Sequence, residues 1–208
     1  MAVLRGPHIQ GLMSHHLIDN TSPLVYADTS HMFIKTFQDV VVREFPSVGV
    51  IILRRKLPEV LKSFIELSYF HENKTWADWM SSPNAATAAI RCIDTDHKLD
   101  HYDKCIAYLI DMEARANRFK REHPGIRTHE VTVYDLNSRQ FIERFFADLG
   151  ILPTRRTYKI VGEPVNQKQQ VKASVQNWTT IDYCKARIQN YIAKAHALGI
   201  DIPQTLLL

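Results

Sequence analysis

Glycine is scarce in this chain, with seven residues in 208, at positions 6, 11, 49, 125, 150, 162 and 199. A loop that cradles phosphate with backbone N–H groups needs closely spaced glycines, usually followed by Lys-Ser/Thr. Gly6 and Gly11 have the separation of such a loop, but Leu12-Met13 follow them and the residues before Gly6 make a poor strand, so RGPHIQGL reads as a chance match. Cysteine is also rare: Cys92, Cys105 and Cys184 are odd in number and widely spaced. That excludes a disulfide framework and a cysteine metal pattern, and leaves reduced, buried thiols. No apolar run reaches the roughly 18 residues of a membrane-spanning helix. The start, MAVLRGPHIQGLMSHH, carries one arginine and no long apolar stretch, unlike a secretory signal. The expectation is a soluble chain, cytoplasmic by default. The net charge of +4 is too small and dispersed for a nucleic-acid partner, but it suits a small anionic ligand.

What is present is an ordinary globular composition, 45% hydrophobic and 23% charged, enough for one α/β domain over 1–208. Residues 24–27 (LVYA) read as a short strand entering Asp28-Thr29-Ser30-His31. In HMFIKTFQDVVVREF the apolar positions 33, 34, 37, 40, 41 and 45 share a helical face, which Pro46 ends. VGVIIL, 48–53, is a continuous apolar strand of the kind covered on both faces. A helix over 58–70 follows, with Pro58 at its first position. A long helix spans Asp96 to Arg121, with Leu99, Tyr102, Ile106, Leu109, Met112 and Ala116 at three-or-four spacing and Pro124-Gly125 as its stop. Residues 128–136 predict a strand and 141–150 a helix with Gly150 past its end. The stretch 153–177 predicts a polar loop, and 178–198 a last amphipathic helix. Strands alternating with helices predict a three-layer fold, a mostly parallel sheet flanked by helices.

The informative stretch is VIILRRKLPEVLKSF, 50–64. In parallel sheets ligands bind at the carboxyl ends of strands, where helix N-termini converge. Arg54 and Arg55 stand at that edge, and because strand side chains alternate, only one of them can face a given site. Ser63, eight positions after Arg55, falls about one and a half turns into the helix and can add a hydroxyl to an oxyanion held there. The arrangement reads as a phosphate receptor with an arginine fork. The competing reading makes the arginines solvated strand-end charges.

This stretch resembles the sulfotransferase segment that binds the 3′-phosphate of 3′-phosphoadenosine 5′-phosphosulfate (PAPS), in which a strand ends in arginine and a serine follows eight positions later. Arg55 and Ser63 keep that spacing, Val60 falls near the pattern's apolar position, and the proline is displaced by one, at Pro58. Upstream, VYADTSHMF looks like the strand carrying the family's catalytic base, which makes His31 or Asp28 its counterpart. The plainer alternative is that they cap the next helix. VTVYDLN and FFADLGI resemble later family elements. VNQKQQVK stands where members place a basic loop over the 3′-phosphate, with Lys168 and Lys172 as the candidates. The likeness covers roughly residues 24–175. It implies a P-loop NTPase-like fold and sulfonate transfer from PAPS, an anionic nucleotide co-substrate, to a hydroxyl or amine of a small molecule or glycan, with no metal.

The resemblance also implies a glycine- and serine/threonine-rich loop after a first strand, which this sequence lacks. The expectation is a sheet missing its first strand, either in an N-terminally incomplete domain or in a degenerate, non-catalytic nucleotide-binding or interaction domain. Other features have plainer explanations. His15-His16, His97 and His101 with Asp94 and Asp96 suggest a solvated helix start rather than a metal site. Trp76 and Trp79 read as a helical core pair before a stacking wall. Glu113 and Arg115 read as a surface pair before acceptor-cleft residues. Asp135, after a strand, reads as a carboxylate at the carboxyl edge or a helix cap.

Overall fold

A parallel pair of strands carries the edge at which the arginines stand. The computed structural model describes residues 32–70, 80–163 and 179–207. The chain opens with a π-helical turn, Phe33–Phe37, that runs into helix α1, Gln38–Glu44. Strand β1 is Gly49–Arg54 and helix α2 is Leu57–Glu66, with proline in its first turn. Helix α3, His101–Glu122, leads to strand β2, Arg127–Thr132. A 3-10 turn at Asp135–Asn137 precedes α4, Arg139–Asp148. Helices α5, Arg155–Ile160, and α6, Ile181–Ala197, and a 3-10 turn at Gln204–Leu206 complete the described chain. The architecture is mixed helix with a small parallel sheet, α/β in class.

Strands β1 and β2 pair in register from Gly49 opposite Arg127 to Arg54 opposite Thr132. One side of the pair faces α3, because Arg54 Nε donates to Glu113 Oε2 at 3.0 Å and Lys120 reaches Glu130. The other side faces α4, through the edge-to-face pair of His129 and Phe145, 5.5 Å between centroids. Val131, on that side, is buried. Ile51 and Leu53 share this face by register and alternation. They are nevertheless 50% and 55% exposed, so the expectation of a strand covered on both faces fails among the described residues. Helix α4 covers β2 but not β1.

The main core lies among the helices. Helices α2, α3 and α6 pack on one another. Leu57, Leu61 and Ile65 form the inward stripe of α2, and Ile106 and Ile110 of α3 meet Ile188 and Tyr191 of α6. The three-or-four spacing thus does what amphipathic spacing requires. The segment before α3 is fastened by side chains. Asn84 exchanges hydrogen bonds with the Cys92 backbone, at 2.9 and 2.8 Å, and the Ile93 N–H donates to the Tyr191 hydroxyl at 3.2 Å.

Several element ends differ from expectation. Helix α2 stops at Glu66 rather than 70, because Ser68 and Phe70 take left-handed φ of 57° and 63°. Helix α3 starts at His101, not Asp96, because the Asp100 carboxylate caps it by accepting from the Asp103 N–H at 2.9 Å. Strand β2 ends at Thr132 rather than 136, where Asp135 Oδ2 accepts from both the N–H and the hydroxyl of Thr132 and closes a turn. The loop expected over 153–177 contains helix α5, started by a reciprocal capping box between Thr154 and Thr157. Helix α4 ends as expected, with Gly150 at φ 71°.

All three cysteines are free and buried. Burial pushes the Cys92 thiol up to about 11 and raises that of Cys105 as well. Because the thiolate is the reactive form, a disulfide reagent such as Ellman's should label none of the three in the folded protein and all three after denaturation. Rapid native-state labelling of any one contradicts this packing.

Candidate functional site at the carboxyl edge

The two arginines separate as strand alternation requires. Arg54 turns toward α3, where Glu113 and Glu130 hold its guanidinium and only 17% of its side chain is exposed. It ties β1, β2 and α3 together through its Nε and Nη1, turned away from a ligand at the edge. Arg55, one residue past the strand, remains 48% exposed. Its Nε donates to Glu59 Oε2 at 2.7 Å.

Glu59 belongs to the first turn of α2, one helical turn before Ser63, so the two share a face of that helix. Arg55, bound to Glu59, lies on the same side. The predicted pair of Arg55 and Ser63 is therefore brought to one flank of α2 at the carboxyl end of β1. Ser63 is partly buried.

Two neighbours join them. Tyr134, in the turn that follows β2, donates its hydroxyl to Glu59 Oε1. Lys56 sets its ammonium 5.6 Å from the centre of the Tyr134 ring, a cation–π contact. The Tyr134 hydroxyl, then the Arg55 guanidinium, hold the Glu59 carboxyl below its usual range; reciprocally, Glu59 raises the Tyr134 phenol. The edge thus presents two cations, one carboxylate, a phenol and a hydroxyl, one net positive charge where the first turn of α2 adds its own dipole. Such a set can hold an anion carrying several oxygens.

The described chain also returns to this edge. A β-carbon at Gly162 would stand 3.9 Å from the Asn137 carbonyl oxygen, in the turn after β2. Gly162 has φ 80°, a conformation that suits glycine. The chain therefore enters residues 164–178 from beside the carboxyl end of β2. Lys168 and Lys172 themselves lie outside the described residues, as do Asp28, His31, His15, His16, Trp76 and Trp79.

Among the other sequence candidates, Arg115 is not on the surface. It is 2% exposed, donates from Nε to Asp111 Oδ2 at 2.7 Å, and reaches the Thr87 hydroxyl at 3.1 Å. Glu113 pairs instead with Arg54, and Asp135 is occupied by Thr132. His101 donates to the Tyr69 carbonyl, a tie between α3 and the end of α2. Among the described residues no group of histidine, cysteine and carboxylate side chains could hold a metal ion, and no helix is long and apolar enough to cross a membrane.

The sequence reading missed Lys56, Glu59 and Tyr134. Glu59 had a visible signal, since it stands four residues after Arg55 at a helix start. Tyr134 had no signal, since it fell within the strand predicted over 128–136. Comparison of the chain with protein-family models, with curated proteins and with solved structures finds no match.

Proposed function

We propose that the carboxyl edge of β1 is the 3′-phosphate site of a PAPS-dependent, sulfotransferase-like domain with a P-loop NTPase-like fold. The observation that carries this reading is the pairing of Arg55 with Glu59 at the strand's carboxyl end, one helical turn before Ser63, while Arg54 is held by Glu113 and Glu130. A guanidinium supplies parallel N–H donors to phosphate oxygens, and a serine hydroxyl supplies a third. Lys56 adds charge from the same edge.

In transfer, the acceptor hydroxyl or amine attacks the sulfonate sulfur in line. A new bond to sulfur forms, the bond from sulfur to the phosphate oxygen breaks, and adenosine 3′,5′-bisphosphate leaves. His31 or Asp28 takes the acceptor's proton. Arg55, Ser63 and Lys56 hold the nucleotide's far phosphate and so fix its position without touching the reacting centre, and Lys168 and Lys172 add charge to the same phosphate. The alternative is a nucleotide-binding domain without catalysis, favoured by the two-stranded sheet of the described residues and by the absence of a glycine-rich phosphate loop from the sequence.

Calorimetric titration with adenosine 3′,5′-bisphosphate, followed by a sulfonate-transfer assay on a panel of hydroxyl and amine acceptors, tests both. Binding with transfer supports the enzyme, and binding without transfer supports the alternative. Absence of binding rejects both. Ser63→Ala is expected to weaken nucleotide binding by about tenfold or more, the loss of one hydrogen bond to a charged group. An unchanged affinity removes Ser63 from the site.

A further inference from the structure

Glu59 is an awkward neighbour for a phosphate. Its carboxylate sits 2.7 Å from the Nε of the arginine that has to grip the anion, and only 18% of its side chain is exposed. A phosphate on the Nε edge of that guanidinium and a carboxylate on the same edge are mutually exclusive, because each needs the same N–H and both are negative.

We propose that Glu59 is a built-in competitor for the anion site, yielding Arg55 to the incoming phosphate while the hydroxyl of Tyr134 keeps its hold on the carboxylate. The inference rests on the function proposed above and deepens it by naming what limits affinity at that site. Three observations support the exchange. Glu59 uses separate oxygens for its two partners, Oε2 for Arg55 and Oε1 for Tyr134, so release of one leaves the other intact. Tyr134 comes from the β2 exit rather than from α2, so it holds the carboxylate from outside the helix. Arg55 is half exposed and is tied to Glu59 through Nε, and an ion pair with one partner at the surface holds weakly. A competitor of this strength tunes the site without blocking it. It lowers the affinity of every anion at this edge by a common factor, so that an anion engaging the guanidinium through two N–H groups is held and a weaker one is not. The geometry therefore assigns Glu59 a role in setting affinity.

The test uses the full chain and adenosine 3′,5′-bisphosphate as the probe, with inorganic sulfate as a weak competitor. Glu59→Gln keeps the side chain's shape and removes its charge. It is expected to bind the nucleotide about two- to fivefold more tightly than wild type, and to bind sulfate more readily in the same proportion. Glu59→Ala should shift affinity in the same direction. Far-ultraviolet circular dichroism checks that both variants keep the fold, which is expected because Glu59 lies outside the buried stripe of Leu57, Leu61 and Ile65. If wild type binds while both variants bind equally or more weakly, Glu59 positions Arg55 rather than competing for it, and the inference is overturned while the function stands. If neither wild type nor variants bind the nucleotide, the proposed function fails and takes this inference with it.

Discussion

Arg55→Ala is expected to weaken binding of adenosine 3′,5′-bisphosphate by at least about 100-fold, while the protein's melting temperature hardly moves. Hydrogen bonds to charged groups contribute about 1.5–3 kcal/mol each in net terms, and a forked contact loses more than one of them. Stability is spared because Arg55 is half exposed and its surface pair with Glu59 is worth at most about 1 kcal/mol. Arg54→Ala should behave in the opposite way. It removes a largely buried guanidinium from between Glu113 and Glu130, leaves two carboxylates facing each other, and lowers stability with affinity changed less than about threefold. Arg55→Lys is the discriminating intermediate, because it keeps the charge and loses the fork. If Arg54→Ala, rather than Arg55→Ala, abolishes binding, the edge has been assigned to the wrong arginine.

The largest expected effect on stability lies away from this edge. Asp111→Ala should cost about 3–5 kcal/mol, because it strands Arg115 as an unpaired charge in the interior. Arg115 is 2% exposed, and its remaining contact is the Thr87 hydroxyl at 3.1 Å. Asp111 also accepts from the Ala89 N–H at 2.7 Å through its other oxygen, so the same change releases the segment that precedes α3. For a chain of this size the loss corresponds to a fall of about 10 °C in melting temperature. Asp111→Leu combined with Arg115→Met should recover most of it, since a buried ion pair replaced by apolar groups of similar volume is often neutral. A small loss for Asp111→Ala alone shows that water reaches Arg115 and that the packing of residues 80–100 on α3 is looser than described. Nucleotide binding should follow the folded fraction only, because neither residue belongs to the carboxyl edge.

What could be read in the sequence divides along a physical line. Helices with an apolar stripe were legible because periodicity is local: α3 and α6 follow from spacing alone, and Gly150 marked the end of α4. The parallel pairing of β1 with β2 followed from alternation of strands and helices. Features set by caps or by left-handed residues were not legible. Helix α5 has no apolar stripe and is started by the Thr154–Thr157 box, while α2 is cut short by φ values that neither serine nor phenylalanine advertises. The destination of charged side chains was the least readable. Arg115 sits on a helix full of charges and looks solvated; its partner Asp111 is one turn away on that helix, but Thr87 and the Ala89 N–H reach the pair only through folding.

The candidate site shows the same division. Arg55 and Ser63 were found because their spacing is internal to one strand-turn-helix unit. Glu59's hold on Arg55 follows from helical spacing once the helix start is known. Tyr134 reaches Glu59 across 75 positions and depends on the register of two strands, which no local pattern encodes. The half-exposed Ile51 and Leu53 belong to this class too, since a continuous apolar run does not say which of its faces a helix will cover.

The central claim is that the edge recognises a phosphate on the 3′ side of a nucleoside, and one comparison reaches it directly. Titration of the full chain with adenosine 3′,5′-bisphosphate and, under identical salt and pH, with adenosine 5′-monophosphate isolates that single group. The account predicts that the bisphosphate binds at least about tenfold more tightly and that Arg55→Ala removes most of the difference. Equal affinity for the two nucleotides, or a preference that Arg55→Ala leaves unchanged, contradicts it.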